Sequence, residues 1–132
     1  MKTDQLPIRF EIPLNPITKK NSQNIYINKR TGRPFISPSS QYKKYEKDAK
    51  SYMPNIVEPI DYAVNVRCTF YMKTRRRVDL VNLLEAVDDI LVKYNVLADD
   101  NHTIVAGHDG SRVAYDKESP RTEIVIERIE TE

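Results

Sequence analysis

Residues 8–12, IRFEI, alternate apolar and polar positions, the period-two signature of a half-buried strand. The next segment, PLNPITKKNSQ, predicts irregular chain, because Pro13 and Pro16 cannot donate to a ladder. NIYINKRTGRPFIS predicts a hairpin, with NIYIN and PFIS as strands and KRTGR as a glycine-containing turn. Residues 37–53, SPSSQYKKYEKDAKSYM, predict a helix. Serines stand at its start, Tyr42, Tyr45 and Tyr52 fall roughly at helical spacing, and Pro54 ends it. DYAVNVRCTFYMK, residues 61–73, predicts a long strand of β-branched and aromatic residues. A second helix is expected from Leu80 to about Tyr94, with Asp79 as its N-cap. LADDN reads as a loop, TIVAGHDG and RTEIVIERI as two further strands, and SRVAYDKESP as the connection between them. The order β–hairpin–α–β–α–β–β predicts a compact α+β fold with two main helices rather than a regular βαβ repeat.

Wound at ~100° per residue, the second helix separates into faces. Leu80, Leu83, Leu84, Val87, Ile90, Leu91 and Tyr94 form one apolar stripe. Asn82, Glu85 and Asp89 gather on a different face, and Asp79 lies near one side of that group. Asp88 points elsewhere, towards solvent. Glu85 and Asp89 are like charges one turn apart, a pairing that costs an isolated helix a few tenths of a kcal/mol. A bound cation would remove that repulsion.

The chain has 132 residues, the size of one domain, and we expect a single domain over 1–132. No apolar run is long enough to span a membrane, and the N-terminal residues lack the apolar core of a secretory signal. The lone Cys68 lies in a strand-like run and reads as a buried structural thiol, which fits a cytoplasmic protein. Zinc-type Cys/His spacing, a P-loop and a GxGxxG fingerprint are all absent, so no nucleotide cofactor is expected.

Charge changes the picture more than composition does. The net charge is +2, yet residues 1–77 carry 16 Lys/Arg against 6 Asp/Glu, and residues 78–132 carry 5 against 13. Such a division marks a polyanion-binding face or an acidic metal site with basic surroundings. The acidic half offers hard oxygen donors: Asp79, Asp100 and one or more of Glu85, Asp89 and Asp99. Mg²⁺ takes such carboxylates together with water and substrate phosphate, and Mn²⁺ would substitute. Carboxylates this dense repel a phosphate backbone, so cations must offset them. Lys73, Arg75, Arg76 and Arg77 stand before the helix, Lys19, Lys20 and Asn21 in the proline-bounded segment, and Lys29, Arg30 and Arg33 at the hairpin turn. Lys43, Lys44, Lys47 and Lys50 decorate the first helix. Tyr26 and Phe35 either pack the hairpin or stack on exposed bases. His102 and His108 have no partner pattern and read as structural.

Three segments together resemble the RusA-like Holliday junction resolvases, small dimeric endodeoxyribonucleases typical of phages and prophages. They are PLNPITKKNSQNIYINKRTGRPFISPSSQYKKY, RRRVDLVNLLEAVDDILVKYNVLADDN and DGSRVAYDKESPRTEI. The resemblance implies a mixed sheet with helices, a two-fold homodimer, and Mg²⁺-dependent symmetric nicking of four-way DNA junctions in recombination and repair. It matches Asp79 to the first essential aspartate and Asp100 to the last, with Asp99 beside it, and Asn82 to the family's asparagine. Asn82 therefore joins Lys19, Lys20, Asn21, Lys73 and Arg75–Arg77 as an expected DNA contact. Two positions depart from the pattern. Val81 stands where a second aspartate is expected, and Glu85 replaces a lysine. Either Glu85, with Asp89, restores the metal ligands and is catalytic with Asp79 and Asp100, or the site is impaired and the protein only binds branched DNA.

Overall fold

The computed structural model describes residues 6–19, 23–38 and 40–129, and for 23–26 and 35–38 the backbone alone. The described residues form seven strands and two helices: β1 (Ile8–Ile12), β2 (Gln23–Ile27), β3 (Pro34–Pro38), α1 (Ser40–Ala49), β4 (Val64–Met72), α2 (Leu80–Lys93), β5 (Val105–Gly107), β6 (Arg112–Tyr115) and β7 (Arg121–Arg128). A short 3-10 turn, Lys50–Tyr52, extends α1. The chain is therefore α+β, as expected. The hairpin β2–β3 forms a two-stranded sheet of its own, and the other strands form a five-stranded mixed sheet.

β4 is the axis of that sheet. Its alternating pattern buries Val64, Val66, Cys68 and Phe70 on one face. β7 runs antiparallel along one edge and pairs Ile126 with Val66, Ile124 with Cys68 and Thr122 with Phe70. β1 continues the rows, setting Ile8, Phe10 and Ile12 opposite Ile126, Ile124 and Thr122. The buried faces of α1 (Tyr42, Tyr45, Ala49) and α2 (Leu83, Leu84, Val87, Ile90, Leu91) join the same core. Each buried valine, leucine or isoleucine there contributes about 1.5–3 kcal/mol. Lys93 pairs with Glu46 at 2.6 Å and the Tyr94 hydroxyl donates to the Glu46 carbonyl at 2.8 Å, tying the end of α2 to α1.

The other edge of β4 carries two short parallel partners. β5 meets its start and β6 its end, with Thr69 opposite Arg112 and Met72 opposite Tyr115. Sequence patterning placed a strand over residues 103–110 and a connection over 111–120. Instead β5 is three residues long and Arg112–Tyr115 is a strand. Between β5 and β6 side chains replace the ladder. The Asn65 carboxamide accepts from the Asp109 N–H at 2.7 Å and donates to the Asp109 carbonyl at 3.1 Å. Ser111 Oγ accepts from the Cys68 N–H at 3.0 Å. Gly110 has φ +84°, and a Cβ there would lie 2.6 Å from the Arg67 side chain, so glycine is required.

Both ends of α2 are sealed by sequence. Asp79 caps the start, and Asn95 adopts φ +61° just past the end. The Val96 N–H reaches the Leu91 carbonyl at 2.8 Å and the Asn95 N–H the Val92 carbonyl at 3.1 Å, which closes the last turn. No helix among the described residues is long and apolar enough to cross a membrane.

Candidate active site

The chain leaves β4 through the exposed run Lys73–Arg77 and enters α2 at Asp79. Two contacts fix this passage. The Lys73 N–H donates to Asn15 Oδ1 at 3.0 Å, and the Arg75 guanidinium lies 4.2 Å from the centre of the Tyr115 ring. The three arginines and Lys73 are exposed at the mouth of the helix. Asp79 Oδ1 accepts the Val81 N–H at 2.9 Å, which uses one oxygen of that carboxylate. Val81 itself is 67% exposed, an apolar side chain on the surface of the first turn. Asn82 is half-buried and Glu85 exposed.

The acids further along are already engaged. Asp89 pairs with Lys19 at 2.9 Å, so an expected metal ligand and an expected phosphate contact neutralise one another here. Asp99 accepts the Asp100 N–H at 2.7 Å and the Asn101 side-chain amide at 2.9 Å. Those bonds, the backbone one first, hold its carboxyl below the usual range. Asp100 is exposed at the same turn. Among the described residues, Asp79, Glu85 and Asp100 have no ion-pair partner. Lys20 and Asn21 lie outside the described residues, as do the side chains of Tyr26 and Phe35.

Asp88 corrects the sequence reading. It does not meet solvent but is buried, 8% exposed, with both oxygens near His108 Nε2, at 2.9 and 3.2 Å. On the helical projection it borders the apolar stripe about 40° from Leu84, and the connection between β5 and β6 carries His108 over it. Burial pushes the Asp88 carboxyl up, against the His108 bond that lowers it, and the charges of Asp100 and Asp89 push it further up. The His108 imidazole is held above its ordinary value, first by the Asp88 bond. The turn bearing Asp100 is thereby brought within electrostatic range of the second half of α2. Asp88 is nine residues beyond Asp79, about 13 Å along the axis.

Among the described residues no three His, Cys, Asp or Glu side chains come close enough together to hold a metal ion. Asp79, Glu85 and Asp100 are thus not gathered into a closed cage in the single chain. Their donor chemistry, oxygen alone, suits a hard divalent ion in an open site completed by water and substrate phosphate.

Residues 13–127 match the family model described as endodeoxyribonuclease RusA. The chain belongs to that family. A search of curated proteins finds no match. The span matched to the endodeoxyribonuclease RusA family contains the basic run, the Asp79 cap, the Asp99–Asp100 turn and the Lys19 segment together. What sequence reasoning missed within this span is the Asp88–His108 pair. Its members stand 20 positions apart on different elements, so no local spacing signals it.

Proposed function

We propose that the protein is a Mg²⁺-dependent endodeoxyribonuclease that resolves four-way DNA junctions by paired symmetric nicks. It works as a cytoplasmic homodimer in DNA recombination and repair, and Mn²⁺ replaces Mg²⁺. The observation that carries this reading is family membership across residues 13–127. Arg75, Arg76 and Arg77 hold phosphates at the entrance to α2 with Lys73, their planar guanidinium forks matching phosphate geometry. Lys19 does so after parting from Asp89. Asp79, Glu85 and Asp100 are the carboxylates assigned to the ion, and Asp79 is oriented by its own capping bond. A divalent ion held there would supply the positive charge that phosphodiester hydrolysis needs. The cations beside these acids offset the repulsion that a bare acidic surface would exert on DNA. Asp99 and Asp89 act behind them, one shaping the turn at Asp100 and the other docking Lys19.

A second reading is favoured by Val81, whose exposed side chain supplies no donor where the resembling pattern has an aspartate. In that reading the chain binds branched DNA without cutting it. One experiment separates the two. A labelled four-way junction and a linear duplex are incubated with the protein in Mg²⁺ or EDTA. Opposed nicks in the junction alone, only with metal, and lost in both Asp79→Asn and Glu85→Gln, are expected. Full cleavage by Glu85→Gln removes Glu85 from the site. Equal junction affinity with and without metal, and no nicked product, selects the binding module.

A further inference from the structure

No acidic residue lies between Glu11 and Glu46, and this stretch contains the whole of the hairpin β2–β3. The hairpin is a separate sheet, and its tip, Asn28–Arg33, is exposed throughout. The tip is held without its cations. Asn28 Oδ1 accepts the N–H of Arg30 at 2.9 Å, the Gly32 N–H donates to the Asn28 carbonyl at 2.7 Å, and Gly32 supplies the left-handed φ of +71°. The side chains of Lys29, Arg30 and Arg33 therefore contribute nothing to closing the turn, and among the described residues none has an ion-pair partner. A surface meant only for solubility mixes signs, and this one has a single sign.

The chain passes beside the site four positions before β2 begins. Asn15 accepts from the Lys73 backbone, and Lys19 pairs with Asp89 of α2. The hairpin strands are five residues each, about 17 Å long at about 3.3 Å per residue. That length matches about five base-pair steps at the roughly 3.4 Å rise along a duplex axis.

We propose that the β2–β3 hairpin is a second DNA clamp, whose Lys29, Arg30 and Arg33 grip backbone phosphates of a duplex arm apart from those held by Arg75–Arg77. The clamp rests on the branched-DNA reading above and adds where on the arm the protein takes hold. The occupant is a polyanionic duplex because the tip offers several unpaired cations over a short span, and little else. Two-point contact gives a preference for DNA whose arms present phosphates at both places.

The test measures binding of the full chain to a four-way junction in EDTA, so that no strand is cut. For the triple variant Lys29→Ala, Arg30→Ala, Arg33→Ala, the slope of log affinity against log salt becomes shallower by about two to three, at about 0.9 for each phosphate no longer neutralised. The charge-keeping variant Lys29→Arg, Arg30→Lys, Arg33→Lys retains the wild-type slope. Neutral methylphosphonates scanned along the junction arms include positions that weaken wild type and leave the triple alanine variant unaffected. An unchanged slope in the alanine variant, or an equally shallow slope in the charge-keeping one, overturns the clamp. Wild type that binds linear duplex as tightly as the junction overturns the underlying branched-DNA reading instead.

Discussion

On a helical wheel Asp88 is a surface acid at the margin of the apolar stripe, yet in the fold it is buried under His108. Nothing within a few residues of Asp88 announces this. The partner arrives from the connection between β5 and β6, which the Asn65 and Ser111 side chains hold against β4. The consequence is a pH dependence. His108 binds its proton more tightly folded than unfolded because Asp88 accepts its hydrogen bond, so the pair's contribution is whole below the ordinary imidazole value of 6.5 and fades as pH rises through the higher folded value. Burial raises the Asp88 carboxyl as well, which has the same sign, since the folded state holds protons the unfolded state has lost. Urea unfolding at about pH 6 and about pH 8.5 should show lower stability at the higher pH. His108→Gln should flatten that slope and cost about 1–3 kcal/mol at the lower pH, where the charged hydrogen bond is complete. Val81 is the opposite case, a residue with little packing to lose at 67% exposure. Val81→Asp should leave stability within about 0.5 kcal/mol. It should also lower the Mg²⁺ concentration needed for half-maximal cleavage, read from a metal titration of junction nicking.

At the scale of elements, α2 was legible because propensity, periodicity and cap agree. Its stripe is apolar, Asp79 stands at the N-cap and Asn95 just past the end. Asp79 has two roles there, and two substitutions separate them. Asn is as good a cap as Asp, so Asp79→Asn should retain stability within a few tenths of a kcal/mol, whereas Asp79→Ala should cost about 1 kcal/mol. Both should abolish cleavage, measured beside thermal unfolding. β1 and β4 were legible for a related reason, since alternation along each matches a single buried face, and β7 because its apolar run IVI is buried throughout. β6 was not. Arg112, Val113 and Tyr115 are exposed on an edge strand of four residues, so no burial demand writes alternation into them. Their pairing is imposed by β4 across more than 40 residues of sequence. Ser111 is the hinge of that arrangement. Ser111→Ala should leave the Cys68 N–H without its acceptor and destabilise by about 1–3 kcal/mol in a denaturant titration, more than an exposed Ser→Ala would.

For the whole molecule, the order of basic run, capped helix and acidic turn was readable along the chain, and so was the division of charge between its halves. Which acids are free was not, because that depends on contacts such as Lys19 with Asp89 that join distant segments. The result is a chain in which Asp79, Glu85 and Asp100 remain exposed while Asp88, Asp89 and Asp99 are engaged internally. In the proposed enzyme each chain contributes one site. A four-way junction presents two equivalent strands related by a two-fold axis, and resolving it without loose ends requires both to be cut within one encounter. A two-fold homodimer supplies one site per strand by symmetry alone. Mixed dimers test this directly. Wild type co-expressed with differently tagged Asp79→Asn, and purified through both tags, carries one competent site per pair. On a labelled junction such dimers should give a singly nicked product at about half the wild-type rate per dimer, and no paired-nick duplexes in a single turnover. Full resolution by the mixed dimer would mean that one subunit serves both strands in turn, and the symmetric division of labour would fall.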